Sequence, residues 1–145
     1  MAETSPQPQI QDHLELRELR SKYAHAIDHG ADTGQWGEFM GLYTEDAVLE
    51  YPQATIEGHE EIRAFCDEIE EMYDFSMHTV QMPVIDVSGD EATGEWYMLV
   101  MYKATDGSEG YVMGRYEDDY VRTDGEWKFS RIKAVISYDT AGYHP

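Results

Sequence analysis

From Phe75 onward the chain reads with a period of two. The segments "SMHTVQMPVIDV", "EATGEWYMLVMYKA", "EGYVMGRYEDDYVR" and "EWKFSRIKAVISY" read as four strands, and only "SGD", "TDGS" and "TDG" separate them. Alternation places every second side chain on one face of a strand, and Asp-Gly pairs supply the positive φ that tight hairpins need. Long strands joined by such short turns run as an antiparallel meander, and sheets built of long strands curl. The other half of the chain therefore has one task, which is to cover a face of that sheet.

Its periodicity suits the task. From Ile10 to about His29, Leu16, Leu19, Tyr23 and Ile27 recur at helical spacing, and Gly30 is placed to end the helix. Residues 1–9, with two prolines and several small polar residues, read as a flexible tail. "TGQWGEFMGLYT" reads as a short helix presenting Trp36, Phe39, Met40 and Tyr43, and "DAVLEYP" as a strand closed by Pro52. "GHEEIRAFCDEIEEMY" is a third helix with Ile62, Phe65, Cys66, Ile69 and Met72 on one face. The 145 residues are the size of one domain, and with 41% of them apolar a core of ordinary size can form. The expected fold class is α+β, with residues 10–145 as a single domain whose helices gather on one face of a mostly antiparallel sheet.

Charge excludes several partners. Thirty Asp and Glu stand against ten Lys and Arg, a formal net charge of −20. Nucleic acid and anionic membrane surfaces would be repelled. The acids are spread along the chain, a pattern that suits a halophilic protein, since the Debye length falls to about 3 Å in molar salt; an acidic mesophilic protein is the alternative. The single cysteine, Cys66, forms no internal disulfide and reads as a small buried hydrophobe. "MAETSPQPQIQ" lacks the basic and apolar regions of a signal peptide, and no apolar run reaches the ~20 residues of a membrane span. A cytoplasmic location is expected, with no phosphate-binding glycine loop, metal-ligand spacing or other sign of a cofactor.

Two ionisable residues stand out. Asp28, in "YAHAIDHG", lies where the long helix should be entering the core, and His78 opens the first long strand with Met77 and Thr79 on its opposite face. If His78 faces the concave side, a carboxylate and an imidazole look into one pocket. The aspartate would then fix the imidazole tautomer, and the histidine could move a proton. Taken alone, an Asp near a helix end is most often solvated and a strand His most often structural. His13, His25, His29, His59 and His144 read as exposed, the acids of "YEDDY" (Tyr116 to Tyr120) as a solvated strand end, and Glu70 and Glu71 as helix surface.

Further residues carry a resemblance over nearly the whole chain after the tail: "YAHAIDHG" followed by a Trp, "LYTEDAVLEYP", "EGHEEIRAF", the "MH" strand start and "GRYEDDYVRTDGEWKFSRI". The chain resembles the SnoaL-like family of the nuclear-transport-factor-like superfamily, nearest to scytalone dehydratase and hexachlorocyclohexane dehydrochlorinase. The resemblance implies a cone-shaped barrel wrapped around the N-terminal helices and a cofactor-free lyase or isomerase working by an Asp-His pair. It places that pair on Asp28 and His78 and a substrate-holding tyrosine on Tyr51. The other pocket positions fall on Tyr23, Ile27, Tyr102, Gly114, Tyr116 and Ile132, where the two named relatives carry different groups. That argues against either named activity and for another small molecule. A binding module of the same fold without turnover is the alternative. "EWYMLVMYK" is apolar on both faces, so a homo-oligomer is expected, trimer ahead of dimer.

Overall fold

The computed structural model describes residues 6–140. In chain order they form α1 (Pro6–Thr33), α2 (Gly37–Met40), β1 (Tyr43–Tyr51), β2 (Ala54–Glu57), α3 (Gly58–Met72), β3 (Tyr73–Ser88), β4 (Glu91–Ala104), β5 (Glu109–Thr123) and β6 (Glu126–Asp139). The six strands make one sheet in the order β2-β1-β6-β5-β4-β3. Neighbours are antiparallel except β1 and β6, which run parallel. Register shifts interrupt the β3–β4 pairing between Gln81 and Val84, with the extra residue on β3, and the β5–β6 pairing opposite Met113/Gly114 and Asp119/Tyr120, with the extra residues on β6. Such bulges increase local twist, and they help curl the sheet into a cone. The cone is open, its edges β2 and β3, and α1 fills its concave side.

The meander follows the sequence closely, down to the turn between β5 and β6, where Asp124 and Gly125 both take positive φ (53° and 79°). The helix bounds differ at both ends. α1 begins at Pro6, inside the stretch read as tail, because a proline in the first turn gives up only an N–H that has no helical partner; residues 1–5 lie outside the described residues. It also runs past Gly30 to Thr33. Gly34, with φ 75°, ends it and donates its N–H to the Gly30 carbonyl at 2.8 Å. Gly30 serves another purpose: the Trp36 ring lies against it where a Cβ would stand.

The α1 stripe of Leu16, Leu19, Tyr23 and Ile27 is buried against the concave faces of β4, β5 and β6, among them Trp96, Met98, Tyr116, Phe129 and Ile132. Each such side chain contributes about 1.5–3 kcal/mol. Arg122 of β5 joins β5 to α1 and to the β3–β4 turn. It donates to Asp12 on α1, to Asp90 at 2.9 Å and to the Gly89 carbonyl at 3.0 Å, while Trp127 Nε1 donates to Asp12 at 3.2 Å.

Glu70 is not simply surface. It is half-buried and accepts the Trp36 indole N–H, tying α3 to the residue ahead of α2. Cys66 is fully buried, and burial pushes its thiol up to about 12, far from thiolate chemistry. Among the described residues no helix is long and apolar enough to cross a membrane.

Candidate functional site

Between α1, α3 and the concave face of the sheet lies a cavity of about 570 Å³. Its buried floor is made by Tyr23, Ile27, Ile56, Met98, Tyr116 and Ala134; the half-buried Tyr51, Phe65, Tyr73 and Tyr102 form the walls. Tyr51 stacks on Phe65 with centroids 5.1 Å apart, and Tyr73 meets Tyr102 edge to face at 5.5 Å. Within this mostly apolar lining the phenols of Tyr23, Tyr51 and Tyr116 lie deepest, and His78 and Ser76 add an imidazole and a hydroxyl. The Tyr23 and Tyr51 hydroxyls are 3.3 Å apart, and the Tyr116 ring packs edge-on against Tyr23 at 5.8 Å. Burial raises all three phenols above the usual tyrosine range, so they act as neutral hydroxyls.

Asp28 and His78 meet on the wall of this cavity. His78 Nδ1 is 2.7 Å from Asp28 Oδ1, and the His78 and Asp28 side chains are only 10% and 23% exposed. An ionised carboxylate has no proton to give, so the ring donates through Nδ1–H. That leaves Nε2 with a lone pair, and His78, unlike Asp28, is among the residues lining the cavity. The carboxylate stands behind the imidazole and accepts two further bonds. One comes from the Ser76 hydroxyl at 2.8 Å and one from the His78 backbone N–H at 2.9 Å. β3 is an edge strand, and Asp28 thereby ties the end of α1 to it.

Tyr23, Ile27, Tyr51, Tyr102 and Tyr116 line the same cavity, whereas Gly114 and Ile132 do not. Ile132 is fully buried in the core, and Gly114 faces the β6 bulge, where a Cβ would run into the Val135 carbonyl. His25 and His29 are exposed; His13 and His59 are half-buried, with a His59 ring nitrogen 3.1 Å from the Tyr43 carbonyl; His144 lies outside the described residues. Among the described residues no three His, Cys, Asp or Glu side chains gather to hold a metal ion.

The "YEDDY" segment departs most from expectation. Asp118 is fully buried, not solvated, and accepts from Arg20 Nη2 at 3.1 Å and from the Tyr120 hydroxyl at 2.7 Å. Trp96 Nε1 extends the chain to Tyr120 at 3.0 Å. Arg20 Nε and Nη1 have no hydrogen-bond partner among the described residues, but the guanidinium lies 3.7 Å from the Tyr116 ring centroid and 4.3 Å from that of Tyr23. Aromatic faces take the place of acceptors. Both residues carried a legible signal. Arg20 lies four residues after Leu16 on the apolar stripe, and Asp118 shares the inward strand face of Tyr116 and Tyr120. Ser76 had a weaker one: it lies two residues before His78, on the same face.

The SnoaL-like domain matches residues 8–133, nearly the whole described chain. The chain belongs to the SnoaL-like family. Several solved structures share its fold. A protein assigned as an aromatic-ring hydroxylase from Novosphingobium aromaticivorans is 27% identical, with a TM-score of 0.83 over 90% of this chain and 93% of that one. A protein assigned as a scytalone dehydratase from the same species is 24% identical, with a TM-score of 0.83 over 94% and 91%. The hexachlorocyclohexane dehydrochlorinase LinA-type3 of Novosphingobium barchaimii is 22% identical, with a TM-score of 0.81 over 97% and 98%. No curated protein matches the chain significantly.

Proposed function

We propose that this SnoaL-like protein is a small-molecule lyase or isomerase in which Asp28 and His78 form a proton-transfer pair. The observation that carries the reading is the 2.7 Å contact between Asp28 and an imidazole lining a 570 Å³ apolar cavity. His78 Nε2 takes a proton from a substrate carbon, and the Asp28 carboxylate stabilises the imidazolium that results. The electron pair left on carbon either expels a leaving group, which receives the proton, or shifts so that the proton returns at another carbon. The first outcome is elimination and the second isomerisation. Tyr51, backed by Tyr23, holds the substrate oxygen on which charge develops.

Proton abstraction can be tested on surrogate substrates. Cyclic ketones of one to three rings are incubated with the protein in deuterated water, and exchange at the carbon next to the carbonyl is followed by mass spectrometry. Catalysed exchange that disappears in Asp28→Asn and His78→Ala supports the reading. Tight ketone binding with exchange no faster than in buffer overturns it in favour of a binding module.

The convex face of β3, β4 and β5 carries exposed Met77, Met101, Tyr97, Tyr111 and Met113, aligned across the strands by register. We propose that a second copy covers this face, and a trimer is the expected assembly. Light scattering that gives the mass of one chain would overturn this.

A further inference from the structure

Every charged residue lining the cavity apart from His78 is acidic. Glu61 and Glu68 of α3 are exposed, so they stand at the mouth, and among the described residues no Lys or Arg lines the cavity. They lie seven residues apart, about 10 Å along one stripe of the helix at 1.5 Å per residue. Their stripe also carries Ala64, Phe65 and Met72, all cavity residues. Glu61 is held in place, accepting the Glu57 backbone N–H at 2.6 Å. The walls behind the mouth are the aromatic rings of Phe65, Tyr73 and Tyr102.

The nearest interior cation offers nothing to an anion. Arg20 is committed to Asp118 at 3.1 Å, and its guanidinium is covered on the cavity side by the rings of Tyr23 and Tyr116, which themselves line the floor. An anionic ligand would pass two carboxylates and find only neutral hydroxyls and an imidazole inside. A cation meets carboxylates and aromatic faces, both of which attract it.

We propose that the cavity selects by charge: it takes a ring-sized amine, holds the protonated nitrogen at the Glu61–Glu68 mouth, and turns anions away. The ring then occupies the apolar interior, with any oxygen toward the Tyr23–Tyr51 hydroxyls. This deepens the ligand-site reading of the cavity and is independent of whether Asp28 and His78 turn the ligand over.

Three probes with one ring system decide it: 2-naphthylmethylammonium, 2-naphthalenemethanol and 2-naphthoate, titrated calorimetrically at a single salt concentration at which the protein is folded. The ammonium should bind tightest, naphthoate at least about 10-fold more weakly, a gap of about 1.4 kcal/mol, and the alcohol between them. In Glu61→Gln/Glu68→Gln the gap should shrink several-fold. Asp124→Asn/Glu126→Gln makes the same charge change at the β5–β6 turn, where both residues are exposed and outside the cavity, and should leave the gap intact. Naphthoate or the alcohol binding as tightly as the ammonium overturns the inference while leaving the cavity as a ligand site. Equal shrinkage in both double variants also overturns it, by tracing selectivity to net charge. Failure of all three probes to bind overturns it together with the ligand-site reading.

Discussion

Asp118 and Asp28 both turn toward the concave side of this cone, and their partners give them opposite characters. Asp118 lies fully buried against Arg20, a cation that does not titrate near neutrality, and against the Tyr120 hydroxyl. Asp28 lies partly exposed behind His78, an imidazole that can take up or release a proton, and its other donors are a serine and a backbone N–H. The first pair is closed off by aromatic rings. The second opens, through the imidazole, onto a cavity. A charge held by a fixed countercharge contributes to the shape of the core; a charge held by a titratable ring beside empty space can take part in chemistry.

The largest effect on the second pair is expected at Asp28. Asparagine there still accepts the His78 backbone N–H, but its amide faces Nδ1 as a donor. The imidazole then carries its proton on Nε2 and cannot act as the base. Asp28→Asn should lower catalysed exchange by about 10²–10⁴-fold, the range of general acid–base contributions, and His78→Ala should lower it at least as much. Melting curves should show both variants folded. Exchange at the original rate in Asp28→Asn would make Asp28 a strand tie and nothing more.

Arg20 should give the reverse pattern, a loss of stability first. Removing one partner of a buried ion pair leaves an uncompensated charge, so Arg20→Met should cost about 3–5 kcal/mol in urea unfolding. Replacing both, as Arg20→Met/Asp118→Leu, should recover most of that loss, since an apolar pair of similar volume does not need the desolvated charges. A double variant no better than the single would show that the ion pair itself, and not the avoidance of a lone charge, stabilises the core.

The pH dependence separates the two sites more finely. Burial pushes the Asp118 carboxyl up to about 6, outweighing the Arg20 guanidinium and the Tyr120 hydroxyl that pull it down. An unfolded aspartate titrates near 3.9. Between roughly pH 4 and 6 the folded chain therefore holds a proton that the unfolded chain has lost, and stability falls as pH rises through that window. The slope from this group is on the order of 1 kcal/mol per pH unit. Asp118→Asn should lack it, so the stability difference between variant and wild type should change across the window and be flat above it. A constant difference would mean that Asp118 stays ionised throughout.

Salt should produce the smallest effect on either pair and still act on the whole chain. With a net charge of −20, surface repulsion is strong in dilute buffer and screened in molar potassium chloride, so the melting temperature should rise with salt. The cost of Arg20→Met should not follow it, because a fully buried pair is poorly screened. A melting temperature indifferent to salt would remove the halophilic reading.

Features that depend only on neighbours along the chain are legible in the amino-acid order. The four strands of the meander, their Asp-Gly turns and the apolar stripe of α1 each follow from local period and turn chemistry, and the resemblance carried by "YAHAIDHG" and "GRYEDDYVRTDGEWKFSRI" identified the family. The end of α1 is not legible in this way, because Gly30 matters for its missing side chain, which makes room for the Trp36 ring, and not for its backbone freedom. Tertiary structure decided which inward residues face space and which face atoms. Ile132 and Tyr116 both point into the cone, yet only Tyr116 reaches the cavity. It also decided what each charge meets: Arg20 and Asp118 are 98 positions apart, and only the curl of the sheet over α1 brings them within 3.1 Å. Charges on an apolar stripe are visible in a sequence, but their partners are set by packing, and a buried charge is tolerable only when packing supplies one.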